Sequence, residues 1–175
     1  MLFMRKITSW GFIPLYLIFF VVFRTLFTLL TPLIIKDTKT TPYVIDMYVF
    51  KTCAFFKTDY YIRAKDSYDA KAYWSLYFPL DFIFPCLYGL LFLSLIDKLR
   101  NVRIYKILFV FIIAGSLFDL GENFSFGFFK ISKADNLVYS VSFFSTIKTI
   151  LFAFNIVASI SVFLYCLIMR LIKRR

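Results

Sequence analysis

Long apolar runs alternate with polar segments along this chain, and the runs have the length of a bilayer rather than of a soluble core helix. Residues 12–35, 77–96, 104–129 and 143–169 are almost continuously apolar, and a helix needs about 20 such residues to cross the hydrocarbon layer. The pattern predicts an all-α fold, a polytopic membrane four-helix bundle in a single membrane domain over residues 1–175. One substantial segment, 36–76, falls between spans 1 and 2. It mixes seven basic and five acidic residues with Tyr43, Tyr60, Tyr61, Tyr68 and Trp74. That is the composition of an ordered, partly helical extracytoplasmic cap lying at headgroup depth, where Tyr and Trp are favoured, and not of a flexible linker. Thr41 and Pro42 supply an N-cap and a first-turn proline for a helix over Val44–Phe56. A second helix starts near Ser67 and leads into span 2. No internal repeat is evident.

Composition agrees with this reading and narrows the chemistry. Hydrophobic residues make up 61% of the chain, 25 residues are Phe and the mean hydropathy is +0.79, values that exclude an ordinary soluble domain. Arg5 and Lys6 ahead of Phe12–Phe23 look like the start of a secretory leader. Arg24 interrupts the run, the apolar pattern resumes to Ile35 and no small-x-small cleavage site follows, so the stretch reads as a retained anchor. Cys53, Cys86 and Cys166 are scattered singly without metal spacing, and the two in spans read as small packing residues. Histidine is absent. Imidazole ligation and the usual general base are therefore unavailable, and no metal site or cofactor is expected.

The net charge of +11 reports topology more than partners. Arg5 and Lys6 precede span 1, Lys98, Arg100, Arg103 and Lys106 fill the second connection, and Arg170, Lys173, Arg174 and Arg175 close the sequence. With alternating spans all three clusters fall on one side, and the positive-inside rule puts both termini in the cytoplasm, at the inner membrane if the source is bacterial. Contact with anionic membrane lipids explains the basic ends, so nucleic acid is not expected as a partner. A protein partner or a homo-oligomer is compatible with the sequence.

Five ionisable residues interrupt the spans: Arg24, Asp81, Asp119, Glu122 and Lys148. Each costs roughly 2.5 to 3.5 kcal/mol near a helix centre, so such residues persist by pairing, by lining a wet cavity or by doing chemistry. Counting rise per residue from each end brings all five toward one layer in the outer half of the bundle. Asp119, Glu122 and Asn123 share a face of span 3 at i, i+3 and i+4, while Ser145, Lys148, Asn155 and Ser159 share one on span 4, and Arg24, Thr28 and Thr31 one on span 1. In span 2, Pro85 cannot donate to the carbonyl four residues earlier, which belongs to Asp81, so a free carbonyl stands beside a carboxylate. Pro79 predicts a kink or a late helix start, and Tyr88 can supply a hydroxyl to the same interior. The candidate ligand-binding set is thus Asp81, Asp119, Glu122, Asn123, Lys148, Arg24 and Tyr88, with no catalytic residue assigned. Interhelical ion pairs that only hold the bundle together explain the same charges. Three acids against two bases favour a site for a cation.

Leu80, Asp81, Phe84, Pro85, Tyr88 and Gly89 form an L-D-x-x-F-P-x-x-Y-G motif, followed by F-D-x-x-E-N at Phe118, Asp119, Glu122 and Asn123. With Ser145, Thr146 and Lys148, these residues resemble a group of uncharacterised small bacterial four-helix integral membrane proteins over roughly positions 73 to 155. The resemblance implies the fold and brings no activity. In architecture, through its length, its long first loop and acids inside a small bundle, the chain is also similar to the sterol-isomerase and sigma-2 receptor group. That likeness implies amphiphilic amine binding rather than isomerisation, for which the isomerases use histidine. The leading expectation is an outward-facing intramembrane polar pocket for a small amphiphile or lipid headgroup. A non-enzymatic accessory or regulatory protein acting through a partner, and an oligomeric pore, are the alternatives. If a reaction occurs here, Asp119 and Glu122 are its acid/base pair, with Asp81 or Lys148 as the orienting charge.

Overall fold

A computed structural model describes residues 8–35, 55–99, 102–132 and 134–172. Helix α1 (Ile13–Ile34) follows a 3-10 turn at Trp10–Phe12, and the short helix α2 covers Asp59–Ser67. Helix α3 runs over Ala70–Leu95 and contains a π-helical turn at Tyr73–Tyr77. Helices α4 (Arg103–Ile131) and α5 (Leu137–Ile172) complete the chain. Among the described residues there is no strand, only an isolated bridge between Ile35 and Tyr68. The expected helix over Val44–Phe56, with its Thr41 cap, lies outside the described residues except for Phe55 and Phe56, which form a turn.

Four helices, α1, α3, α4 and α5, are long and apolar enough to cross a membrane. Helices α4 and α5 extend past both ends of the apolar runs that predict them and α3 starts well ahead of its run, because backbone hydrogen bonding continues through polar flanks that hydropathy rejects; α1 stays within its run. The 36 residues of α5 reach about 54 Å, well past a hydrocarbon core of about 30 Å. Of the kink or late helix start expected at Pro79, the late start is not found. Helix α3 begins at Ala70, where the Asp69 side chain accepts the Ala72 N–H at 2.8 Å. It then absorbs Pro79 by widening: the Phe78 N–H reaches the Tyr73 carbonyl five residues back, and Pro79 enters the first turn of the following α-helical stretch, where a missing N–H is tolerated.

Helices α4 and α5 pack along their length as an antiparallel pair joined at 132–136, α3 lies against α4, and α1 lies against α3. Large apolar side chains such as Leu17, Ile18, Val21, Leu29, Val110, Leu117, Val157 and Leu164 remain exposed around the bundle. In water such a belt would drive aggregation; around membrane spans it is the lipid-facing surface. Cys86 belongs to that surface rather than to the packed interior, contrary to its expected packing role.

The interior is layered. At the α2 end, Tyr60, Tyr61, Tyr68, Tyr73 and Tyr77 pack with Phe126, Phe129, Val138 and Val141. Toward the other end, Tyr88, Phe92, Leu93, Ile96, Leu108 and Ile112 form a second apolar group. Helix α2 is fastened across the α4–α5 connection by Lys65, whose Nζ lies 3.2 Å from Asp135 Oδ1 and 4.7 Å from the centre of the Phe129 ring. Between lipid-immersed helices there is little hydrophobic driving force, so close packing and buried polar contacts must hold them. That gives weight to the polar layer between the two apolar groups.

Candidate functional site

Lys148 on α5 is the centre of this layer. Its Nζ lies 2.7 Å from Asp119 Oδ1 and 2.6 Å from Glu122 Oε2, so one ammonium bridges two carboxylates one turn apart on α4. Both acids are almost wholly buried, at 2% and 1% exposure. Helical spacing makes this possible: at i and i+3 the two acids stand on the face of α4 that meets α5. Tyr88 on α3 donates its hydroxyl to Asp119 Oδ2 at 2.8 Å, bringing a third helix to the cluster. In a medium of low dielectric such contacts are strong, and loss of one partner costs about 3–5 kcal/mol because a charge is left behind.

Asp81 contributes through its backbone as well as its buried side chain. The carbonyl that Pro85 cannot serve accepts Asn123 Nδ2 at 3.0 Å, and the carbonyl of Asn123 itself accepts the Tyr73 hydroxyl at 3.2 Å. Pro85's own carbonyl takes Ser116 Oγ at 3.0 Å. Gly89 leaves the room for that last bond, since a Cβ there would come within 2.8 Å of Ser116 Oγ. The proline in α3 is thus stitched to α4 at two points.

Six of the seven expected site residues come together in this layer: Asp81, Tyr88, Asp119, Glu122, Asn123 and Lys148. Arg24 does not. It is exposed on α1, it forms no ion pair among the described residues, and the hydroxyls of Thr28 and Thr31 return to the carbonyls of Arg24 and Phe27 on their own helix. Spacing alone puts three polar residues on one face, but the inward face of α1 is the aromatic one, with Phe20, Phe23 and Phe27 against Phe84. Phe118 packs on Phe143 and Phe144 of α5.

The layer is roofed by residues that the sequence presents only as members of an aromatic segment. Tyr61 on α2 is fully buried, with Glu122, Ser145 and Lys148 as its electrostatic neighbours, and burial, followed by the Glu122 charge, raises its phenol pKa above the ordinary tyrosine value. Just before α2, Phe56 holds a left-handed backbone (φ 55°), and its N–H donates to Thr146 Oγ1 at 3.0 Å. A Phe in that region is strained. No periodicity signals either contact, because both depend on where α2 lands.

Among the described residues the charges of the expected outward-facing pocket are buried. A hollow of about 530 Å³ lies elsewhere, on the flank of the α4–α5 pair, bordered by Phe124, Phe128, Leu137, Ser140 and Phe144. No group of three or more His, Cys, Asp or Glu suited to a metal occurs among the described residues. An all-α bundle of four bilayer-length apolar helices around a buried lysine–carboxylate cluster has the architecture of a multipass membrane protein. Compared with family models, with curated proteins and with solved structures, the chain matches none.

Proposed function

We propose that this membrane protein binds the cationic headgroup of a small amphiphile or lipid in its Asp119–Lys148–Glu122 layer. The supporting observation is that two buried carboxylates share one ammonium. With Tyr88 neutral, the triad itself sums to −1, and a low-dielectric interior favours an added cation there. Access runs under α2, where the strained turn at Phe56 and the Tyr61 roof form the closure; the apolar body of the ligand stays in the lipid-facing region. Confinement of the cluster inside one chain supports binding over conduction through an oligomeric pore, in which charges would face a shared axis. An accessory role exercised through a protein partner is compatible with such binding.

Melting of the purified protein across a panel of amine amphiphiles tests this. A ligand that binds the folded state stabilises it in proportion to its occupancy. The expected result is an upward shift in the wild type that is lost in Asp119→Asn and Glu122→Gln. Shifts that are absent, or that persist in both variants, leave the cluster as an ion-paired strut between helices.

A further inference from the structure

Three buried polar atoms on two helices lack an aligned hydrogen-bond partner among the described residues: Glu122 Oε1 in the ion-paired layer, and Ser145 Oγ and, one turn before it, Ser142 Oγ on α5. Their residues are 1%, 3% and 1% exposed. Ser142 and Ser145 are three apart on the inward stripe of α5. Ser145 is a hydrogen-bonding neighbour of both Glu122 and the Tyr61 phenol in its electrostatics, although its Oγ is fully aligned with neither. Lys148 occupies the other Glu122 oxygen, Oε2, so Oε1 is the side of this carboxylate that faces away from the ammonium's bond. Folded proteins satisfy nearly all such buried atoms, and an unsatisfied group at a candidate site points to something that belongs there.

We infer that these three oxygens form a subsite for a group bearing N–H donors, so that the protein takes a primary ammonium and turns away a quaternary one. This rests on the cationic-headgroup reading above and adds its selectivity. A primary ammonium carries three N–H donors and no acceptor, the complement of one carboxylate oxygen and two hydroxyl oxygens. A trimethylammonium has the same charge but no donor, and is held instead by aromatic faces. Placed here it would leave every one of the three oxygens unserved. The ammonium would also bring the triad's formal charge from −1 to zero, with Lys148 kept in place.

The test uses the full chain in phosphatidylcholine nanodiscs, titrated calorimetrically with dodecylamine and with dodecyltrimethylammonium, and with empty nanodiscs as the blank for partitioning. Dodecylamine is expected to bind about tenfold more tightly than its quaternary analogue, the size of one charge-assisted hydrogen bond. Ser145→Ala should remove most of that preference, while Ser145→Thr, which keeps the hydroxyl, should retain it and controls for folding. Equal affinity for the two amines, with both still lost in Glu122→Gln, overturns the selectivity but leaves the cationic site standing. No binding of either amine, the outcome expected if a buried water alone fills the gap, overturns both.

Discussion

Asn123 of α4 supplies the hydrogen bond that Pro85 denies Asp81 in α3: its Nδ2 lies 3.0 Å from the Asp81 carbonyl oxygen. A proline in a spanning helix is tolerated when a neighbour serves the freed carbonyl, and here the neighbour is one residue from the acid that meets Lys148. The proline-containing helix and the charged layer are therefore one construction. Replacing Asn123 with Leu leaves the carbonyl unserved inside the bundle and should lower stability by about 1–3 kcal/mol. Pro85→Ala restores an internal N–H, so the double variant should recover part of the loss. Chemical or thermal unfolding of the four proteins in this cycle measures it, and strictly additive losses would uncouple the pair.

The lysine bridge predicts a second, larger effect. Lys148→Met strands the Asp119 and Glu122 carboxylates side by side and should cost about 3–5 kcal/mol. Neutralising both acids in the same chain, with Asp119→Asn and Glu122→Gln, should return much of the melting temperature. Failure of the triple variant to exceed Lys148→Met would mean that the ion pairs carry little of the helix packing.

Tyr61 gives a pH dependence of known sign. Its phenol is raised above its ordinary value of 10.0, first by burial and then by Glu122, so the fold favours the neutral form. The associated stability is fully present below the unfolded value and is lost as pH rises from there toward the higher folded value. Between about pH 9 and pH 11, wild-type melting should fall more steeply than that of Tyr61→Phe, in which nothing ionises at this position. Parallel curves would show that α2 lifts away before the phenol is forced to titrate.

The basic clusters predict an orientation that labelling checks. Cys53, in the segment between α1 and α3, should react with a membrane-impermeant maleimide in intact cells, while Cys86 and Cys166 should not. A cysteine placed at Asn101 should stay unlabelled until the membrane is permeabilised. Labelling at Asn101 in intact cells would invert the protein and put the Tyr61 roof on the cytoplasmic side.

Gly115 provides a packing test one layer away from the charges. A Cβ there would come within 2.9 Å of Asn155 Nδ2, which donates to the Phe111 carbonyl at 3.1 Å. Gly115→Ala should gain a little intrinsic helix propensity yet lower the melting temperature, because the close contact of α4 with α5 outweighs about 1 kcal/mol of propensity. A rise in melting temperature would show that Asn155 moves aside freely.

By itself the sequence determines the spans and most of the charged layer. Bilayer length and hydropathy are local properties of a run, so α1, α3, α4 and α5 can be read directly. The i, i+3 and i+4 spacing fixes that Asp119, Glu122 and Asn123 share a face whatever they meet, and the proline rule fixes that Asp81's carbonyl is free. Which face of each helix turns inward is another matter, because in lipid an apolar side and a polar side can each be satisfied in more than one way. On α1 the aromatic face won and Arg24 was left outside, since rings filling the space against Phe84 gain contacts that a long charged chain cannot make there. Only the tertiary structure decided that Lys148 bridges both acids, that Asn123 serves the Asp81 carbonyl and that Tyr61 closes the layer. Those contacts join residues dozens of positions apart, and their existence depends on helix rotation and depth set by packing, which no local pattern encodes.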